Sequence, residues 1–178
     1  MKRQAVFSII LLFFFFGMVG FGLPTNLEKK VKKEVEKTLQ VSTFKLFPVS
    51  VSKSINDKLP SKISDSNFFS IKKDSVTLGY AFVDKASSKT AKFDYLVVFN
   101  EKLEVVKSKV LIYREEYGGE IGSTRWLKQF LGKTGKDRVK YNENIDVISG
   151  ATISVRSMTM AMDNLLQTIG VLQENKVL

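Results

Sequence analysis

Residues 146–154, Asp-Val-Ile-Ser-Gly-Ala-Thr-Ile-Ser, bring a carboxylate and three hydroxyls into one short stretch. The segment after them is periodic. Met158, Met162, Leu165, Leu166 and Ile169 share one helical face, and Arg156, Thr159, Asp163 and Gln167 share another. The hydroxyls of Ser149, Thr152 and Ser154 therefore stand at a helix N-terminus. There, unpaired backbone N–H groups and the helix dipole favour an anion. Gly150 and Ala151 have almost no side chain, so a phosphate-bearing ligand can approach the backbone. The same residues also suit ordinary N-capping by Ser149 or Thr152, and both readings stand at this point.

Elsewhere the chemical inventory is thin. The chain has 178 residues, no Cys and no His. This excludes disulfides, thiolate nucleophiles, Cys- or His-ligated metals and the Ser-His-Asp triad. No metal site is expected. Redox or group-transfer chemistry in this chain calls for a bound cofactor.

Asp-x-x-Ser-Gly-Ala-Thr ahead of a helix resembles the covalent flavinylation motif of the FMN-binding domain family, and Asp146 to Thr152 match it without a break. That family includes the flavin subunits of the sodium-translocating NADH:quinone reductase and of Rnf-type ferredoxin:NAD reductases. The resemblance implies FMN joined through its phosphate to the Thr152 hydroxyl, a phosphoester made outside the cytoplasm by a separate FAD-dependent flavin transferase. Carried over by position, Thr152 is the acceptor, Ser149, Gly150 and Ala151 shape the phosphate turn, and Asp146 leads the motif. Many members also carry a Thr-Pro-Gly-Leu-Gly-like stretch near the flavin ring. Its counterpart here, Glu116-Tyr117-Gly118-Gly119-Glu120-Ile121-Gly122, lacks the Thr-Pro pair. Gly119, Glu120 and Ile121 are its candidate cofactor contacts. Trp126, in the helix after this loop, is either a stacking partner for the flavin or a core residue.

Other elements must hold these residues in place. Leu27, Val31, Val35 and Leu39 predict an amphipathic helix over 26–40, capped by Asn26. Residues 41–65, with Pro48 and Pro60, read as a broken helix or an irregular wrap. Strands are expected at 68–73, 76–83, 92–99 and 102–113, with turns at Asp74-Ser75 and Asn100-Glu101. Gly79 inside a strand signals a bulge or a close backbone approach. The expected fold class is α+β, an antiparallel sheet flanked by an N-terminal helix and by the C-terminal helix that follows the flavinylation turn. The domain plan is a signal peptide or membrane anchor at 1–23, a helical and irregular segment at 24–65 and an FMN-binding domain at 66–178.

Residues 5–23 carry no charge and follow Lys2 and Arg3. The run is long for a signal-peptide core and borderline for a membrane span. Gly20 and Gly22 offer a signal peptidase a small-x-small site. Lys29, Lys30, Lys32 and Lys33, just beyond, compete with Lys2 and Arg3 for the cytoplasmic side. The family resemblance favours export, to a periplasmic or extracytoplasmic location, with or without retention of the anchor.

The net charge is +10, from 28 Lys+Arg against 18 Asp+Glu. No nucleic-acid partner is expected, because Lys dominates, acids are interspersed and no recognition motif is present. The expected function is an exported electron-transfer flavoprotein that relays electrons between membrane or extracytoplasmic redox proteins. The alternatives are an FMN-dependent reductase with its own small-molecule substrate, and a surface or structural domain without flavin. The first would need an unseen NAD(P)H site, since no G-x-G-x-x-G stretch occurs.

Overall fold

The computed structural model describes residues 22–178. Almost all of the uncharged leader run, residues 5–21, lies outside them. Helix α1, Thr25–Leu39, forms where the sequence places an apolar stripe, and it buries Leu27, Val31 and Val35. Its start differs from expectation. Pro24 is the capping position, and its carbonyl accepts the N–H groups of Leu27 (2.8 Å) and Glu28 (2.9 Å). Proline suits this place because its φ, here −51°, is already set for entry into a helix.

Five strands follow: β1 Lys45–Pro48, β2 Phe68–Lys73, β3 Val76–Ser87, β4 Lys92–Asn100 and β5 Val105–Ile112. They pair in chain order as one antiparallel meander. The meander has one strand more than expected. Strand β1 lies in the stretch read as irregular, as does the single-turn helix α2, Lys53–Asn56. Being short, largely exposed and ended by Pro48, β1 gives no alternation to read, and those features are also what keep a sheet edge from pairing with other chains. Gly79 is a close approach: a Cβ there would lie 2.1 Å from the Phe99 carbonyl oxygen.

The sheet is covered on both faces. On one side Phe82, Phe93, Tyr95, Val97 and Phe99 pack against Val155, Met158, Met162, Leu165 and Ile169 of helix α4, Thr152–Glu174. On the other, Ile71, Ala81, Val83, Leu96 and Val98 pack against Leu27, Val31 and Val35 of α1. The molecule is thus α+β in three layers, helix–sheet–helix. Each fully buried branched or aromatic side chain contributes about 1.5–3 kcal/mol relative to exposure, so both helices are bound to the sheet and neither is a spacer. Helix α4 runs past Ile169 to Glu174, and Gly170, inside it, lets the Gly135 carbonyl oxygen pack 2.9 Å from where a Cβ would stand. Between β5 and α4 the chain makes a 3-10 turn at Gly119–Gly122, the short helix α3 at Thr124–Leu127 and a second 3-10 turn at Lys128–Phe130.

Candidate functional site

The turn that opens α4 is built by Gly150. Its φ of +82° lies in the left-handed region that side chains disfavour. The Ala151 N–H closes the turn on the Ile148 carbonyl at 3.2 Å. Ala151 occupies the N-cap position and offers no side-chain cap, while its carbonyl accepts the Val155 N–H at 2.9 Å. Neither Ser149 nor Thr152 caps the helix. Among the described residues, the N–H groups of Thr152, Ile153 and Ser154 find no acceptor. Thr152 is the first helical residue and is exposed, and no hydrogen bond engages its hydroxyl there.

A second element is held against this turn. The Tyr113 hydroxyl, just past β5, donates to the Tyr117 carbonyl at 3.0 Å and lies 3.2 Å from Ser154 Oγ. Gly118 follows at φ +79°; a Cβ there would meet the Tyr113 hydroxyl oxygen at 2.8 Å and the Ala151 Cβ at 3.6 Å. The glycine loop thus touches the motif through Gly118.

The third element is the tip of the β3–β4 hairpin, residues 88–91. Glu115 holds it: one carboxylate oxygen accepts from Ser88 Oγ (2.6 Å), Thr90 N (2.6 Å), Ala91 N (3.0 Å) and Thr90 Oγ1 (3.2 Å). The bond from the Ser88 hydroxyl, then that from the Thr90 amide, lowers the Glu115 carboxyl to about 2. The neighbouring Arg114 guanidinium bonds the Lys92 carbonyl and the buried Asp94 carboxylate, tying the loop to the first residues of β4.

Together these elements enclose a cleft of about 660 Å³. Lys89 and Thr90 line one side, Tyr113 to Tyr117 another, and Gly150 to Ser154 the floor. Its size falls within the roughly 300–1,000 Å³ usual for small-molecule and cofactor sites. Apolar surface is available at its rim, where Tyr117 is 82% exposed and Ile153 50%.

The remaining predicted residues lie elsewhere around the turn. Asp146, Ser149, Glu120 and Trp126 line a smaller cleft of about 360 Å³ with Val147 and Ile148. Ile121 is fully buried in the core, and Gly119 is exposed. Trp126 is 5% exposed and meets Phe130 edge-on at 5.2 Å, and its Nε1–H donates to the Asp146 carbonyl at 2.8 Å. Gln129 completes the grip: its Oε1 accepts the Asp146 N–H at 2.8 Å, while its Nε2 donates to the Trp126 carbonyl at 3.1 Å. Both backbone groups of Asp146 are therefore held, and its exposed carboxylate has no hydrogen-bonding or ionic partner among the described residues.

Sequence reading missed Lys89, Thr90, Tyr113 and Ile153 as lining residues. The hairpin tip reaches α4 across some sixty positions of chain, a separation that no local pattern encodes. Tyr117 stood in the glycine stretch, and its large ring among small residues was the available signal.

Residues 89–167 match the family model described as the FMN-binding domain. Among solved structures, the crystal structure of Shewanella oneidensis NqrC shares the fold, with a TM-score of 0.50 and 18% identity, covering 74% of this chain and 69% of that one. No match was found among the curated proteins.

Proposed function

We propose that this chain, which carries an FMN-binding domain over residues 89–167, is an exported electron-transfer flavoprotein whose FMN is joined by a phosphoester to Thr152. The observation that carries this reading is the unfinished start of α4. Thr152 presents an exposed, unengaged hydroxyl beside three N–H groups without acceptors, on the floor of a cofactor-sized cleft. An anionic phosphodiester suits that place by charge and by hydrogen bonding. Bound flavin supplies one- and two-electron redox chemistry.

The residues divide the work. Thr152 Oγ forms the bond to phosphorus, and AMP leaves the FAD donor used by the flavin transferase. Gly150 and Ala151 give the phosphate access to the backbone, and Ser149 shapes the approach. Tyr117 and Ile153 offer apolar surface to the ring. Gly119, Glu120 and Ile121 set the course of the loop beside it. Trp126 acts through Asp146, holding the motif in register from the core side. A covalent bond keeps the cofactor on a protein that works outside the cytoplasm, where a dissociating flavin would be lost.

We further propose that residues 5–23 remain as a membrane anchor, so that the redox partners are membrane or extracytoplasmic proteins. Among the described residues no helix is long and apolar enough to cross a membrane, so the anchor would be this leader run. Co-expression with a flavin transferase, followed by in-gel flavin fluorescence after denaturation and an intact mass, tests the reading. The adduct is expected in the parent chain and absent in Thr152→Val. A chain without adduct, or an adduct that survives in Thr152→Val, overturns it. The intact mass also reports whether residues 1–23 are retained.

A further inference from the structure

Both helices start at the same end of the sheet. The first described residues, from Leu23, already pack on the α1 side: Leu23, Pro24, Asn26 and Leu27 line a cleft of about 480 Å³ with Asp94, Ile112 and Arg114. Arg114 also lines the Thr152 cleft on the other side. Helix α4 is fixed to that end through the Ser157 hydroxyl, which donates to the Ser87 carbonyl at the last residue of β3. The point where the uncharged run 5–23 ends and the turn bearing Thr152 therefore share one end of the molecule.

The connection has no slack. Helix α1 begins at Thr25, and Leu23 is already packed on the sheet. The chain from Leu23 to Thr25 spans at most about 7 Å. A long linker would let the domain turn freely above a bilayer, and a joint this short cannot.

We infer that the end of the sheet carrying Thr152 and the hairpin tip faces the bilayer surface, so that electrons enter or leave at the membrane–water interface. This rests on the anchored reading above. The tether orients the domain; the side chains lining the two clefts at this end are mixed in sign, with Lys85, Lys89 and Arg114 beside Asp84, Asp94, Glu115 and Glu116. The opposite end carries the β2–β3 turn at Asp74-Ser75 and the β4–β5 turn at Asn100-Glu101. Strand β3 separates the two ends by about 40 Å, from its 12 residues at about 3.3 Å each.

The chain lacks Cys, so single cysteines can be labelled without background. The full chain, residues 1–178, is reconstituted into phosphatidylcholine–phosphatidylglycerol vesicles that contain a lipid with a nitroxide at its headgroup. Variants Lys89→Cys and Ser75→Cys each carry a fluorescent label, and Glu101→Cys repeats the far-end measurement. Strong quenching is expected at position 89 and little at 75 or 101, unchanged at high salt. Equal quenching at both ends, or stronger quenching at 75 and 101, overturns the orientation while leaving the anchor intact. Failure of the full chain to float with vesicles overturns the anchor and the orientation with it. Neither result bears on flavin attachment, which the Thr152→Val experiment reads separately.

Discussion

Replacing Trp126 by Phe separates two roles for that ring. The Nε1–H bond to the Asp146 carbonyl is 2.8 Å long and partly buried, and its loss costs about 0.5–1.5 kcal/mol. Shrinking a 5% exposed indole to a phenyl ring adds about 1 kcal/mol of lost burial and packing. The sum, near 2 kcal/mol, lowers the Tm by about 4–8 °C in a protein of this size. Thermal unfolding of the flavin-free protein, followed by far-ultraviolet circular dichroism, measures it; intrinsic fluorescence does not serve, because Trp126 is the sole tryptophan. Flavin loading should fall as well, since Asp146 keeps only its bond to Gln129 Oε1. A Tm within about 1 °C of the parent, with a change confined to the bound flavin's spectrum, would refute the latch and assign the ring to the flavin.

Glu115 gives a pH prediction. Its carboxyl lies at about 2 in the folded chain against 4.5 for an unperturbed Glu. The carboxylate's hold on the hairpin tip is therefore complete above the unperturbed value and is lost as pH falls through the folded one. The amide signals of Thr90 and Ala91 should titrate with a midpoint near 2, and a midpoint above 4 contradicts the assignment. Gly118→Ala forces a Cβ into the left-handed region and onto the Tyr113 hydroxyl. The expected loss is about 1–2 kcal/mol by denaturant midpoint, together with a lower adduct yield, and an unchanged midpoint would show that the loop can shift without penalty.

The meander and the last helix were legible because their signals are local. Strands β2 to β5 are rich in β-branched and aromatic residues and are bounded by turn residues, and α4 keeps one apolar face along most of its length. The second layer was less legible. Leu96 and Val98 of β4 face α1 while Phe93, Tyr95, Val97 and Phe99 face α4, and a strand buried on both sides shows a continuous apolar run whose second partner has to be found in space. The anion-binding character of residues 146–154 could be read from residue types, but not whether a side chain would cap the helix. That depended on Gly150, whose positive φ puts Ala151 at the capping position. The cleft walls were illegible because Glu115 recruits the hairpin tip from a distant stretch of chain, through the hydroxyls of Ser88 and Thr90 and the backbone N–H groups of Thr90 and Ala91, a pairing that no local pattern encodes.

The covering of the sheet by α1 has a consequence for what counts as a unit. The matched segment, residues 89–167, holds β4, β5, α3 and most of α4. Strands β1 to β3 and α1 lie outside it. Cut at those limits, β4 would lose its β3 neighbour along the whole ladder, and Leu96 and Val98 would open to water. The matched segment alone therefore lacks the strand and the helix that close its core. The borders of the matched segment and of the packed body differ in this chain, and an expression fragment that keeps both layers on the sheet starts no later than Pro24.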